Sequence, residues 1–193
     1  MRQVEPPYRS ALPMSLPHRI ESLPPASVAR VILPGEGATI HVLDEAATFK
    51  VGPRDSGGAF SLVEVETPPG GGSPEHLHET VDEVLYVVEG EFLLSFDGRE
   101  ARLDAGACAV VPRGMRHAYT NVGAARGRLL MMSAPAVSQE RVFCELAALF
   151  AGSAAGSPEL AEAMAQIAMA RGLTITGEHP VPRLPLPGAP RHP

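Results

Sequence analysis

Gly70-Gly71-Gly72-Ser73-Pro74-Glu75-His76-Leu77-His78-Glu79-Thr80-Val81-Asp82-Glu83-Val84-Leu85-Tyr86-Val87-Val88-Glu89-Gly90 is the stretch around which the chain is organised. His76 and His78 are two residues apart. Side chains on a strand alternate faces, so this spacing sends both imidazoles the same way. Glu83 opens an apolar run, Val84 to Val88, that reads as a buried strand closed by Gly90. Two imidazoles and a carboxylate aimed into one interior suggest a site for a borderline divalent ion. A lone His-x-His pair is more often two surface histidines, and a second stretch changes that weighing. It runs Gly106-Ala107-Cys108-Ala109-Val110-Val111-Pro112-Arg113-Gly114-Met115-Arg116-His117-Ala118-Tyr119-Thr120-Asn121. A strand ends in a Pro-Arg-Gly turn and one more histidine follows, so His117 is the candidate fourth ligand.

Outward from these stretches, short strands recur between turn signals. Thr39–Leu43 and Ala47–Val51 form a pair with Asp44-Glu45 near the turn, and Phe60–Thr67 alternates with a strand period. Pro68–Pro74 is a Gly/Pro-rich loop delivering the chain to His76; its triple glycine reads as a flexible loop. No lysine and no helix follow, which excludes a phosphate cradle. Glu91–Phe96 and Arg99–Leu103 flank Asp97-Gly98, a type I′ hairpin signal. Ala107–Val111, Ala118–Val122 and a closing strand, Gly127–Ser133, complete an antiparallel sandwich or barrel. After Ala136 the period becomes helical. Val142, Phe143, Leu146, Leu149 and Phe150 make one apolar face. Ser157 caps a second helix with Pro158 at its first position, buries Leu160, Met164, Ile167 and Ala168, and Gly172 ends it. A short strand, Leu173–Ile175, follows.

The ends differ in composition. Seven prolines between Pro6 and Pro34 exclude a helix or a central strand there, although Val28–Leu33 has room for an edge strand. The chain therefore divides into a Pro-rich arm (1–34), a β-barrel (35–135), a helical extension (136–178) and a Pro-rich tail (179–193). With 193 residues and 45% hydrophobic content, there is material for one sizeable core. No 18-residue apolar run or signal-like stretch is present, so no membrane association and a cytoplasmic location are expected. A net charge of −6, with no basic cluster, argues against nucleic acid as a partner. Cys108 and Cys144 fit neither a zinc pair nor a disulfide framework, and Cys108 reads as a buried inert thiol.

The two stretches resemble the two motifs of the cupin superfamily. Gly70, His76, His78, Glu83 and Gly90 fill the first; Gly106, Pro112, Gly114, His117 and Asn121 fill the second. The resemblance implies an all-β core, a double-stranded β-helix or cupin jelly roll. The barrel followed by two helices, with the strand Gly58–Glu64 before the first motif, resembles single-domain bacterial cupins grouped with quercetin 2,3-dioxygenase-like proteins. That likeness implies one divalent metal ion (Fe, Mn, Ni, Co or Zn) on His76, His78, Glu83 and His117. Four protein ligands on an octahedral ion leave two positions for a small-molecule substrate and O2.

Three function classes follow from this resemblance. The first is a metal-dependent dioxygenase of secondary metabolism acting on a small aromatic or enolic metabolite. The second is a zinc-type isomerase or polyketide cyclase. The third is a non-catalytic cupin that binds or senses a small molecule. Glu83 is also the candidate catalytic base. Tyr119, Phe60, Met115 and Met131 are candidate substrate contacts, with Phe143 and Phe150 as further pocket walls. Tyr86, of opposite parity to Glu83, reads as structural, and Asn121 as satisfying backbone groups. The resemblance also implies a homodimer, assembled through the arm or an edge strand.

Overall fold

The computed structural model describes residues 29–42, 45–136, 139–152, 158–170 and 172–177. The expected arm before residue 29, the tail beyond 177, the Ser157 cap and the side chain of Phe150 lie outside the described residues. The described chain forms β1 (Ala38–Val42), β2 (Glu45–Val51), β3 (Ser61–Thr67), β4 (His76–His78), β5 (Asp82–Glu89), β6 (Glu91–Phe96), β7 (Arg99–Asp104), β8 (Cys108–Val111), β9 (His117–Asn121), β10 (Gly127–Ala134), α1 (Gln139–Gly152), α2 (Pro158–Met169) and β11 (Leu173–Ile175).

Two antiparallel sheets face each other, one ordered β1-β2-β3-β10-β5-β8 and the other β11-β4-β9-β6-β7. This is the jelly-roll core the motifs imply. The alternation seen in the sequence is the alternation of burial. Ser61, Val63, Val65 and Thr67 of β3 are buried, as are Leu129, Met131 and Ser133 of β10, while their neighbours face outward. Phe92, Leu85, Val65, Val87 and Leu129 are almost fully buried at the centre of the sandwich, where area removed from water stabilises at about 25 cal/mol per Å². The β6–β7 hairpin turns on Asp97 (φ 43°) and Gly98 (φ 75°), the two left-handed residues a type I′ turn requires.

Ala29–Leu33 is not a strand. Pro34 removes a donor, and the chain instead turns there. Glu36 N–H donates to the Leu33 carbonyl at 3.0 Å, and Leu33 N–H donates to the Glu36 carboxylate at 2.9 Å. Nor is the triple glycine a free loop. Gly70 N–H donates to the Asn121 carbonyl at 2.8 Å, Asn121 N–H donates to the Gly71 carbonyl at 2.9 Å, and Gly72 bridges Thr120. A Cβ on Gly72 would lie 1.9 Å from the Tyr119 carbonyl oxygen. Replacing Gly72 by Ala should therefore push the loop off β9 and cost roughly 3 kcal/mol, read as a lowered urea midpoint with an unchanged slope.

The helices close one side of the sandwich. α1 packs on β1, with Phe143 edge-on to Phe49 at 5.7 Å, and α2 packs on β11. They thereby join an edge of one sheet to an edge of the other. The far side is different. Cys108 is exposed rather than buried, because its parity on β8 sends it outward with Val110. Small apolar neighbours suggested an interior position, but β8 is an edge strand whose outer face nothing in the chain covers among the described residues.

Candidate metal centre

The three histidines and the glutamate reach one point from two sheets. β4 presents His76 and His78, β9 presents His117, and β5 presents Glu83 from the opposite wall. Their candidate ligand atoms all lie within 4.8 Å of one another, and all four residues are buried. His117 Nε2 is 3.1 Å and His78 Nε2 3.7 Å from the same Glu83 oxygen, Oε2. The imidazole centroids are 4.3 to 5.7 Å apart.

The sequence fixes the ring orientations through local backbone contacts. His76 Nδ1–H donates to the Pro74 carbonyl at 2.8 Å, and His117 Nδ1–H to the Met115 carbonyl at 3.0 Å. A carbonyl can only accept, so both rings turn Nε2 inward. His78 Nε2 is buried with no hydrogen-bond partner. Three inward-facing nitrogens, one of them without a hydrogen-bond partner, beside a carboxylate form a donor set that fits a divalent transition ion.

Electrostatics agree. Burial, then repulsion from His117, lowers the His76 pKa to about 4, and burial lowers that of His78 as well. Burial alone would raise Glu83, but the hydrogen bond from His117 and the nearby imidazoles outweigh it and hold its pKa at about 2. Burial pulls His117 down, yet the bond to Glu83 and its charge raise it above 6.5. Of the three rings, His117 is thus the one that most readily takes up a proton in the metal-free protein. Adding Zn(II) to the apoprotein below pH 6.5 should release protons, largely from His117. Potentiometry in weakly buffered solution checks this, and Glu83→Gln should reduce the release.

A clasp holds the ends of both motifs together. Arg113 makes a two-point ion pair with Asp82, with nitrogen–oxygen distances of 3.0 and 2.7 Å. Its backbone N–H donates to Asp82 Oδ1 at 2.9 Å. Gly114 N–H donates to the His78 carbonyl at 2.7 Å. The turn before His117 is therefore tied to the residue before Glu83 and to the strand of His78. A planar guanidinium matches a carboxylate in this way and a lysine does not.

The other candidates divide. Met131 lies on the inner face directly opposite Leu85, two residues along β10 from the level of Glu83, and Met115 packs against the core beside His117. Tyr119 faces inward as its parity requires, but its hydroxyl donates to the Glu45 carboxylate, with oxygen distances of 3.0 and 3.2 Å. Thr67 donates to Glu45 at 2.6 Å. Burial and the Glu45 charge raise the Tyr119 pKa well above 10, so the phenol stays protonated as a strut between sheets. Phe60 precedes β3 and is 37% exposed. Phe143 packs on Phe49 rather than standing free in a pocket. Asn121 donates to the Thr67 and Ala125 carbonyls and accepts from Gly123 N–H, satisfying backbone as expected. Tyr86 faces outward.

Two sheets enclosing three imidazoles and one carboxylate define a jelly-roll protein with a candidate mononuclear metal site. Residues 63–133 match the family described as Cupin domain. The chain thus contains a cupin domain.

Among its relatives is quercetin 2,3-dioxygenase of Bacillus subtilis, 30% identical over 52% of this chain and 30% of that protein. Another is the tetracenomycin polyketide synthase protein TcmJ of Streptomyces glaucescens, 34% identical over 38% of this chain and 50% of that protein. The polyketide synthase protein CurC of Streptomyces cyaneus is 36% identical over 35% of this chain and 44% of that protein. The chain thus covers half or less of each of these relatives. Among solved structures, KdgF from Halomonas sp. superposes with a TM-score of 0.53 at 19% identity, over 58% of this chain and 99% of that one. That likeness is one of fold alone.

Proposed function

We propose that this protein is a metal-dependent cupin enzyme, a dioxygenase acting on a small aromatic or enolic metabolite. The observation that carries the reading is the buried donor set of His76, His78, Glu83 and His117, with His78 Nε2 lacking a hydrogen-bond partner. The similarity to quercetin 2,3-dioxygenase supports the oxidative reaction class. His76, His78, Glu83 and His117 would hold Fe(II), Mn(II), Ni(II), Co(II) or Zn(II). When bound, such an ion supplies a Lewis acid and, if redox-active, a means of activating dioxygen. The chain's own residues supply the rest. The Pro74 and Met115 carbonyls keep two rings in the ligating tautomer. Val63, Met131 and Leu85 form a buried apolar row on the inner face next to that of Glu83. With a pKa of about 2, Glu83 is a poor proton acceptor at neutral pH, so its main role is ligation and charge balance.

The polyketide synthase relatives favour a second reading, a zinc-type cyclase or isomerase. One experiment separates the two. Protein purified without oxygen is assayed for metal, then for oxygen uptake with catechols, flavonols and polyketide enols. Uptake stoichiometric with product supports the dioxygenase. Turnover of an enol by the zinc form without oxygen supports the cyclase. No turnover with any metal would leave a binding protein.

We also propose a homodimer. Leu62, Met132, Val84 and Val110 lie in register across four strands on an outer face, with Leu130, Tyr86 and Cys108 beside them. Val110 is 69% exposed at the edge strand β8. A contiguous apolar face of this kind at a sheet edge favours self-association. Light scattering should give twice the chain mass, and Val110→Lys should shift the mass toward one chain.

A further inference from the structure

Among the described residues, three buried side-chain polar atoms lack a hydrogen-bond partner: His78 Nε2, Arg128 Nε and Ser133 Oγ. Arg128 is outside the cavity, and its other guanidinium nitrogens are near Glu64 and Glu89. His78 Nε2 is accounted for by the metal centre. Ser133 has no such account. It is fully buried on β10, where its Cα partners are Glu83 of β5 on one side and Ser61 of β3 on the other.

Directly paired residues in an antiparallel sheet project to the same face. Ser61, Ser133 and Glu83 therefore form one row along the inner wall, at the level of the candidate ligands. The next inward row is Val63, Met131 and Leu85, which offers no side-chain oxygen or nitrogen acceptor. Buried hydroxyls are ordinarily hydrogen-bonded, so one that is not, beside a candidate metal ligand, implies an acceptor that comes from outside the chain.

We infer that Ser133 is a substrate-orienting residue whose hydroxyl donates to an oxygen of the molecule bound at the metal centre. This inference rests on the metal reading above. It also narrows the substrate class. A divalent ion with one carboxylate and three neutral imidazoles keeps a net positive charge, which favours an anionic oxygen ligand. A hydroxyl donor close by selects a ligand with a second oxygen near the first. Enolates of 1,2- and 1,3-dicarbonyls, α-hydroxy ketones and hydroxamates have that arrangement; ligands with one donor atom do not. Serine here replaces the apolar residues that fill the rest of the inner face of β10, and a Ser between Met132 and Ala134 carries no signal in the sequence alone.

The test uses the full chain loaded with Co(II), wild type and Ser133→Ala. The probes are acetohydroxamate, which offers two adjacent oxygens, and imidazole, which binds through one nitrogen with no acceptor beside it. Affinities are read from the cobalt absorption bands, with cobalt content and apoprotein melting temperature measured alongside. The expected result is equal cobalt content, a melting temperature equal or raised in Ser133→Ala, acetohydroxamate bound about tenfold more weakly, and imidazole binding unchanged. Equal acetohydroxamate affinity in both proteins would overturn the role of Ser133 and leave the metal reading standing. So would a variant that misfolds, loses cobalt or melts several degrees lower, since the hydroxyl would then serve the structure. A wild type that takes up no cobalt would overturn both.

Discussion

Cutting the chain after Ala136 should abolish metal binding, not merely open the site. The reason lies in β4, the three-residue strand that carries His76 and His78. On one side it meets β9 through a single register pair, His76 with His117. On the other it pairs along its whole length with β11: Leu173 with His78, Thr174 with Leu77 and Ile175 with His76. The pairing is extended at both ends. Glu79 N–H donates to the Gly172 carbonyl at 2.9 Å, Thr176 N–H to the Glu75 carbonyl at 2.8 Å, and the Thr176 hydroxyl to the Glu75 carboxylate at 2.8 Å. Without β11, a strand this short has too few partners to hold two ligands in place. The C-terminal helices span from β1 to β11 and deliver the strand that holds the histidines. The expected outcome is metal content below a tenth of wild type by elemental analysis and a melting temperature lower by several degrees. Truncated protein that keeps its metal would refute the strand-holding role.

Replacing His76 and His117 together by alanine should likewise reduce bound metal from one ion per chain to background, while leaving a folded apoprotein less sensitive to acid. The sign follows from the direction of each shift. His76 is held neutral, with its pKa lowered from 6.5 to about 4. The unfolded chain therefore takes up its proton first as pH falls, and stability is lost between 6.5 and about 4. A shift of that size corresponds to about 3 kcal/mol, and His78 acts in the same direction. Glu83 adds a second acid-labile contribution, present above its ordinary range and lost as pH falls toward about 2. His117, raised, acts the other way: its contribution is full below 6.5 and disappears as pH rises past its folded value. The variant loses the His76 penalty and the His117–Glu83 ion pair together. Its apoprotein melting temperature should fall less between pH 6.5 and 4 than that of wild type, and should no longer decline on the alkaline side. Equal metal in the variant and the wild type would remove the four residues as the site. An unchanged acid limb would show that His76 is not the group whose burial destabilises the apoprotein.

How much of this was legible in the sequence differs from residue to residue. The ligand set was readable because each part is local. His76 and His78 share a face through strand parity alone, Glu83 begins an unmistakable apolar run, and His117 follows a turn whose Pro112 and Gly114 can be recognised by type. The Asp97-Gly98 hairpin was readable because only left-handed backbone satisfies a type I′ turn. Local parity also assigned Tyr119 to the interior, but it could not show that Glu45, seventy-four residues earlier, would take its hydroxyl. Cys108 was misplaced for a related reason. Small apolar character says that a side chain tolerates burial, whereas burial itself depends on which strands become edges.

The sequence by itself determined the two motifs, the β period of the barrel, the helical period after Ala136 and the donors that converge. Those properties depend on residue type and on spacings of a few positions, and strand and helix geometry are the same wherever they occur. Only the tertiary structure decided that Leu173–Ile175 supports the histidine strand, that Asp82 and Arg113 lock the two motifs together, and that Ser133 stands beside Glu83. These are pairings between segments distant along the chain. Each is set by strand order and register across a sheet, which emerge when the whole core packs and leave no trace in local spacing.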